Sequence, residues 1–166
     1  MPVADPPGLL AAVAAACADL GVRALVSAGW NDFSAAGGGD GAGRAGLDEK
    51  RVRVVGSVDH ARVLPRCRAA VHHGGAGTTG AVLRAGLPAV VGWYSADQPI
   101  WGELLREAGV GVARRASTLP RPGVLTTALS EVLDDATAAR ATALGARLVP
   151  PDRAVAAAAD AVSGGV

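Results

Sequence analysis

Apolar positions along this chain fall into short runs that alternate with helical patterns. The stretch ADPPGLLAAVAAACADLG (4–21) reads as a helix that Asp5 can cap, whose first turn suits the two prolines and which Gly21 stops. VRALVSAG (22–29) is a β-rich run closing on glycine. VRVVGSV (52–58), RAAVHH (68–73), LPAVVGW (87–93) and VGVA (110–113) give four more strands. Between them, HARVLPRC forms a short helical turn, AGTTGAVLRAG a helix that Gly86 ends, and DQPIWGELLREAG a further helix. GGGDGAGRAG (37–46) is a polar loop without a packing signal. From Leu119 onward the pattern is helical only, broken at Pro150 and Pro151. Strands alternating with helices predict an α/β fold, a Rossmann-like doubly wound parallel sheet with right-handed crossovers. The order opens on a helix, however. The first strand of such a sheet is central, so the expected sheet lacks its first strand and carries a gap.

Length and composition narrow the class. The 166 residues suit a single domain, and alanine dominates an apolar half that holds only 3 % aromatics. The net charge of +1 leaves no electrostatic footprint for nucleic acid or an acidic membrane. Fifteen of the 16 basic residues are arginine, Lys50 being the one lysine, a codon signature rather than a functional one. Cys17 and Cys67 do not suggest a disulfide framework. The longest apolar run, Leu9 to Ala18, is too short for a bilayer and no basic segment precedes it, so a soluble, cytoplasmic domain without a transmembrane segment is expected.

The chemistry concentrates in VHHGGAGTTGAVLRAG (71–86). In a doubly wound sheet ligands bind at the carboxyl ends of the strands, and this glycine-rich turn sits at such an end and opens a helix. Unpaired N–H groups and the helix macrodipole make it an anion site, phosphate being the usual occupant. Gly75 and Gly77 let a ligand approach the main chain, Thr78 and Thr79 add hydroxyl donors, and His73 can donate a ring N–H. A Walker-type loop is excluded for want of the Lys-Ser/Thr ending. GAGTTG (75–80) does match the G-x-G-x-x-G dinucleotide fingerprint, so an NAD-binding oxidoreductase fragment stays open, as does a turn made for tight helix packing. A metal site at His72 and His73 is disfavoured, because adjacent strand residues point to opposite sides and no carboxylate or thiolate stands at a ligand spacing.

VHHGGAGTT followed by ADQP resembles the nucleotide-sugar-binding, C-terminal half of family 1 glycosyltransferases of the GT-B fold, enzymes that glycosylate lipids, sterols, macrolides and aromatic natural products. The resemblance runs from GWNDF (29–33) to DQPIWGELLREAGVGV and covers nearly the whole chain. It implies that His73 contacts the donor diphosphate and that Gly75, Ala76, Gly77 and Thr78 wrap it. No metal ion or cofactor is implied, the donor being a substrate, a UDP- or dTDP-linked sugar. His72 takes no role from the family and is read as support. The family's acidic–glutamine pair falls on Asp97 and Gln98, which would read sugar hydroxyls; helix capping by Asp97 is the competing reading. The nucleobase is expected over GSVDHARVL, near the main chain at Val58 and near His60, with Trp30 as a wall of the cleft or as core. Plant relatives place a tryptophan where Ser57 stands and a ribose-binding glutamate where Ala81 stands, so base choice and ribose recognition are unassigned.

GT-B enzymes have two Rossmann-like halves, and the acceptor-binding half supplies the catalytic base. Nothing in these residues corresponds to that half, so no catalytic base is assigned here. The donor half of the family begins with a strand ending in Gly-Ser, often followed by Met-Pro. Met1 of MPVADPPGLL is therefore read as an internal methionine of a longer protein, the absent strand being the one between VRALVSAG and RAAVHH. The final helix, RAVAAAADAVSGGV, either packs on its own domain or crosses onto the missing half. The expectation is the donor-binding domain of an inverting, metal-independent glycosyltransferase, this chain alone being inactive, with a hydrophobic acceptor brought by the other half. A non-catalytic nucleotide-sugar-binding module that needs a separate acceptor subunit is the alternative.

Overall fold

A computed structural model describes residues 3–29, 33 and 48–164. The chain opens on helix α1 (Pro6–Asp19), where Asp5 Oδ1 accepts the Gly8 N–H at 2.9 Å and two prolines occupy the first turn. Strands β1 (Ala24–Ser27) and β2 (Val52–Val55) pair in parallel, Ala24 opposite Val52. Helix α2 (His60–Val63), capped by Asp59, leads to β3 (Ala70–His72), α3 (Ala76–Arg84) and β4 (Ala89–Trp93). Helix α4 (Gln98–Glu107), β5 (Gly111–Arg115), α5 (Val124–Ser130), α6 (Asp135–Gly145) and α7 (Pro151–Ser163) complete the order. The alternation read from the sequence is thus the alternation of the fold, with strand ends moved by at most three residues.

Strand β4 is the middle of a parallel β3–β4–β5 sheet, and its first four residues are buried. That is why AVVG reads as a continuous run: both faces of a parallel strand are covered. Ala89 and Val91 pack with Val82, Leu87, Leu105, Val110 and Ala141 under α3, α4 and α6. Val90 turns to the opposite face with Ala128 and Val132. Full burial of each of these valines and leucines contributes about 1.5–3 kcal/mol. Small residues set the close approach of these helices. A Cβ added at Gly102 of α4 would stand 2.7 Å from Ala113 Cβ and 3.3 Å from Val91 Cγ1, so α4 lies directly on the sheet.

The β1–β2 pair is separate from the β3–β4–β5 sheet. No ladder joins β1 to β3, the two strands expected to flank an absent one. Leu25 on β1 and Val71 on β3 are each 45 % exposed. Helix α1 joins the two parts, packing through Leu10 and Cys17 on Val52 and through Ala16 on Leu119 and Leu125. Every described residue of α7 is exposed, Val155 and Val162 included. The reading in which this helix packs on its own domain is therefore corrected: an alanine-rich face offers too little area to hold it on the helices already formed.

Candidate functional site

The carboxyl ends of β3 and β4 carry two loops that touch. After β3 the chain turns at Gly74, with φ +88°, into the N-terminus of α3. A Cβ at Gly74 would stand 2.7 Å from Val91 Cγ1, 3.1 Å from Gln98 O and 3.3 Å from Gln98 Cβ. The loop of residues 73–75 thus rests on the start of α4, and the two sequence motifs, far apart in the chain, form one place.

Gly75 is the N-cap of α3 and offers no side-chain cap, so the first-turn amides are left open while the Thr79 N–H begins the helix by bonding Gly75 O. His73 is exposed, and its ring lies over that end: a Cβ at Gly75 would be 2.5 Å from His73 Nε2. Gly75, Ala76, Gly77 and Thr78 line this N-terminus together with His73. Thr79 does not. Its hydroxyl, expected to point at an anion, is buried and donates to Gly75 O at 3.0 Å, because residues 79 and 82 share the inward face of α3.

His72 takes the other side of the strand. Its Nδ1 accepts the Gly74 N–H at 3.0 Å, which puts the ring proton on Nε2, a buried atom with no acceptor among the described residues. Burial, and then the neighbouring charges of His73 and His60, lower its pKa to about 4. The three histidines therefore share one neighbourhood, His60 entering it from the start of α2. Because the folded form holds His72 neutral, the unfolded chain takes up the proton first. Stability is accordingly complete above about pH 6.5 and declines as pH falls toward 4, by roughly 1.4 kcal/mol per unit. In urea titrations His72→Asn, which keeps an acceptor for the Gly74 amide but cannot titrate, is expected to flatten that slope.

Asp97 and Gln98 open α4, and the structure separates their surroundings. Asp97 is exposed and sits at the N-cap, yet its side chain accepts no cap bond. Its Oδ2 accepts the Trp101 indole N–H at 2.9 Å instead. Capping is therefore not what this carboxylate does. Gln98 is 8 % exposed, and its Oε1 accepts the Tyr94 N–H at 2.8 Å and the Ser95 N–H at 3.4 Å, holding the β4–α4 loop from beneath. Between Ser95 and Asp97, Ala96 adopts φ +58°, a left-handed conformation rare outside glycine. On the same edge of the sheet the Arg115 guanidinium stacks 4.5 Å over the Trp93 ring. Val58 is half-buried in the segment between β2 and α2; Trp30 lies outside the described residues. Among the described residues no group of three or more His, Cys, Asp or Glu is placed to hold a metal ion, and no helix is long and apolar enough to cross a membrane.

Residues 44–157 match the erythromycin biosynthesis protein CIII-like, C-terminal domain family. The chain belongs to this family. An uncharacterized glycosyltransferase of Mycobacterium leprae is 42 % identical over 160 residues, 96 % of this chain and 35 % of the relative. The sterol 3-beta-glucosyltransferase of Cryptococcus neoformans is 39 % identical over 120 residues, 70 % of this chain and 8 % of that one. Among solved structures, the glycotransferase of kitacinnamycin superposes with a TM-score of 0.69 at 26 % identity, covering 82 % of this chain and 34 % of its own. The chain thus spans about a third of the length of the M. leprae relative, and it has the architecture of the C-terminal half of a GT-B glycosyltransferase.

Proposed function

We propose that this chain is the donor-binding half of an inverting, metal-independent glycosyltransferase, taking a hexose from a UDP- or dTDP-sugar to a hydroxyl of a hydrophobic natural product, sterol or lipid. The observation that carries the reading is the convergence of the His73 ring with the open α3 N-terminus, against the loop that bears Asp97. In such a transfer the acceptor oxygen attacks the anomeric carbon as the bond to the β-phosphate breaks, and the bonding pair leaves with the diphosphate. Charge grows on that oxygen. Fixed N–H dipoles of residues 76–78, with the His73 imidazole, stabilise charge in that position without reorganising. Asp97 accepts hydrogen bonds from sugar hydroxyls, and Gln98 supports it by fixing the loop while its Oε1 is engaged. The base lies toward Val58 and His60. The proton acceptor for the attacking hydroxyl comes from outside this chain. A sterol in the name of a 39 % identical relative supports the hydrophobic acceptor.

Thermal melts with UDP, dTDP and NAD added separately test the reading. Ligand at a hundred times its Kd adds about 2.7 kcal/mol to folding stability, a rise of roughly 5–10 °C for a domain of this size. A rise with UDP or dTDP and none with NAD is expected. A cooperative melt that only NAD displaces, or that nothing displaces, would remove the reading.

A further inference from the structure

The local sequence DQPIW denies Asp97 the usual duty of an N-cap. A capping carboxylate bonds the N–H of the second or third helical residue. The second is Pro99, which has none, and the third, Ile100, gives its N–H to the Asp97 carbonyl at 3.0 Å. The next amide, that of Trp101, also bonds this carbonyl, at 3.2 Å. The side chain is left for another donor, and Trp101 supplies it. Residues four apart share a helix face, and side chains there lean toward the N-terminus, so the indole of Trp101 reaches back to Asp97 Oδ2 at 2.9 Å. The helix that carries the ring is held on the sheet, because its neighbour Gly102 seats α4 on Ala113 and Val91. Among the described residues nothing bonds Oδ1.

We propose that Trp101 is a positioning residue for the sugar subsite: its indole N–H locks Asp97 in one orientation, so that Oδ1 and the open lone pairs of the carboxylate face the ligand and read the hydroxyls of the donor hexose. This rests on the reading of Asp97 as a sugar-binding carboxylate. A carboxylate already tied at one oxygen loses less freedom on binding and discriminates better between hydroxyl arrangements. The indole touches Asp97, not the reacting atoms, so its effect belongs to sugar binding and not to the nucleotide.

The test compares UDP and dTDP with UDP-glucose and dTDP-glucose by calorimetry on the full chain. Asp97→Ala is expected to weaken the better sugar nucleotide at least tenfold and the free nucleotide less than twofold. Trp101→Phe keeps an aromatic ring and removes the donor; it should weaken the same sugar nucleotide about twofold to tenfold, the cost of ordering one side chain on binding, and leave the nucleotide unchanged. Trp101→Gln sacrifices the ring but restores an N–H at a spacing that serves Gln–Asp pairs, and should recover part of the loss. If ring volume is what matters, the order reverses, Phe behaving as wild type and Gln failing, and the proposal falls while the reading of Asp97 stands. If Asp97→Ala weakens both ligands equally, that reading falls and takes the proposal with it. A ligand-free check is the indole N–H resonance of Trp101, expected to move upfield in Asp97→Ala; an unmoved resonance would overturn the lock.

Discussion

His73→Ala is expected to bind UDP and dTDP ten- to a hundredfold more weakly than wild type, with no change in melting temperature. The two halves of that expectation have different sources. His73 is exposed and its ring covers the bare start of α3, where it can add a charge-assisted donor to the first-turn amides. One such bond to a diphosphate is worth about 1.5–3 kcal/mol. Removing the ring takes little from the core, since the packing beneath belongs to Val82, Val91 and their neighbours. His73→Gln, which keeps an N–H donor, should retain part of the affinity. Isothermal titration checks the pair. Unaltered affinity in the alanine variant would put the diphosphate elsewhere, and a large fall in melting temperature would make the histidine a structural residue.

The alternation of strands and helices was legible because β4 is covered on both faces and α3 and α4 on one, so burial wrote itself into their apolar runs. The opening on a helix was legible too, and no ladder joins β1–β2 to β3–β4–β5. The site was legible as a set of motifs but not in its division of labour. Strand alternation distinguishes the two histidines: His72 follows Ala70 inward, and His73 is left on the open side. Helical spacing carries a further signal. Gln98, Gly102 and Leu105 stand at i, i+4 and i+7 and form the buried face of α4, which draws Gln98 under the loop. Asp97 and Trp101 stand at i and i+4 on another face, and Pro99 removes the donor a cap would use. The position of that proline decides between capping and pairing. The contact of Gly74 with Gln98 has no local signature, since it depends on how α4 lies on the sheet.

That contact makes Gly74→Ala the most damaging small substitution expected in the site. An L residue at φ +88° is strained by about 1–2 kcal/mol. The new methyl would also stand 2.7 Å from Val91 Cγ1 and 3.1 Å from the Gln98 carbonyl oxygen. Val91 is fully buried in the central strand and the carbonyl belongs to backbone, so neither can step aside without moving β4 or α4. Overpacking of this kind adds about 1–3 kcal/mol. Together the two effects reach roughly 2–5 kcal/mol, a large part of the 5–15 kcal/mol that holds a typical domain. Gly77→Ala supplies the contrast. Its Cβ would meet nothing within 4 Å, and it lies inside α3, where alanine stabilises by up to about 1 kcal/mol over glycine. Urea denaturation should therefore show Gly74→Ala less stable and Gly77→Ala as stable as wild type or more so. The fold has no need of glycine at position 77. If Gly77→Ala nevertheless weakens UDP or dTDP, the glycine is there for the close approach of a ligand to the main chain; if binding is unchanged, the diphosphate does not reach that amide.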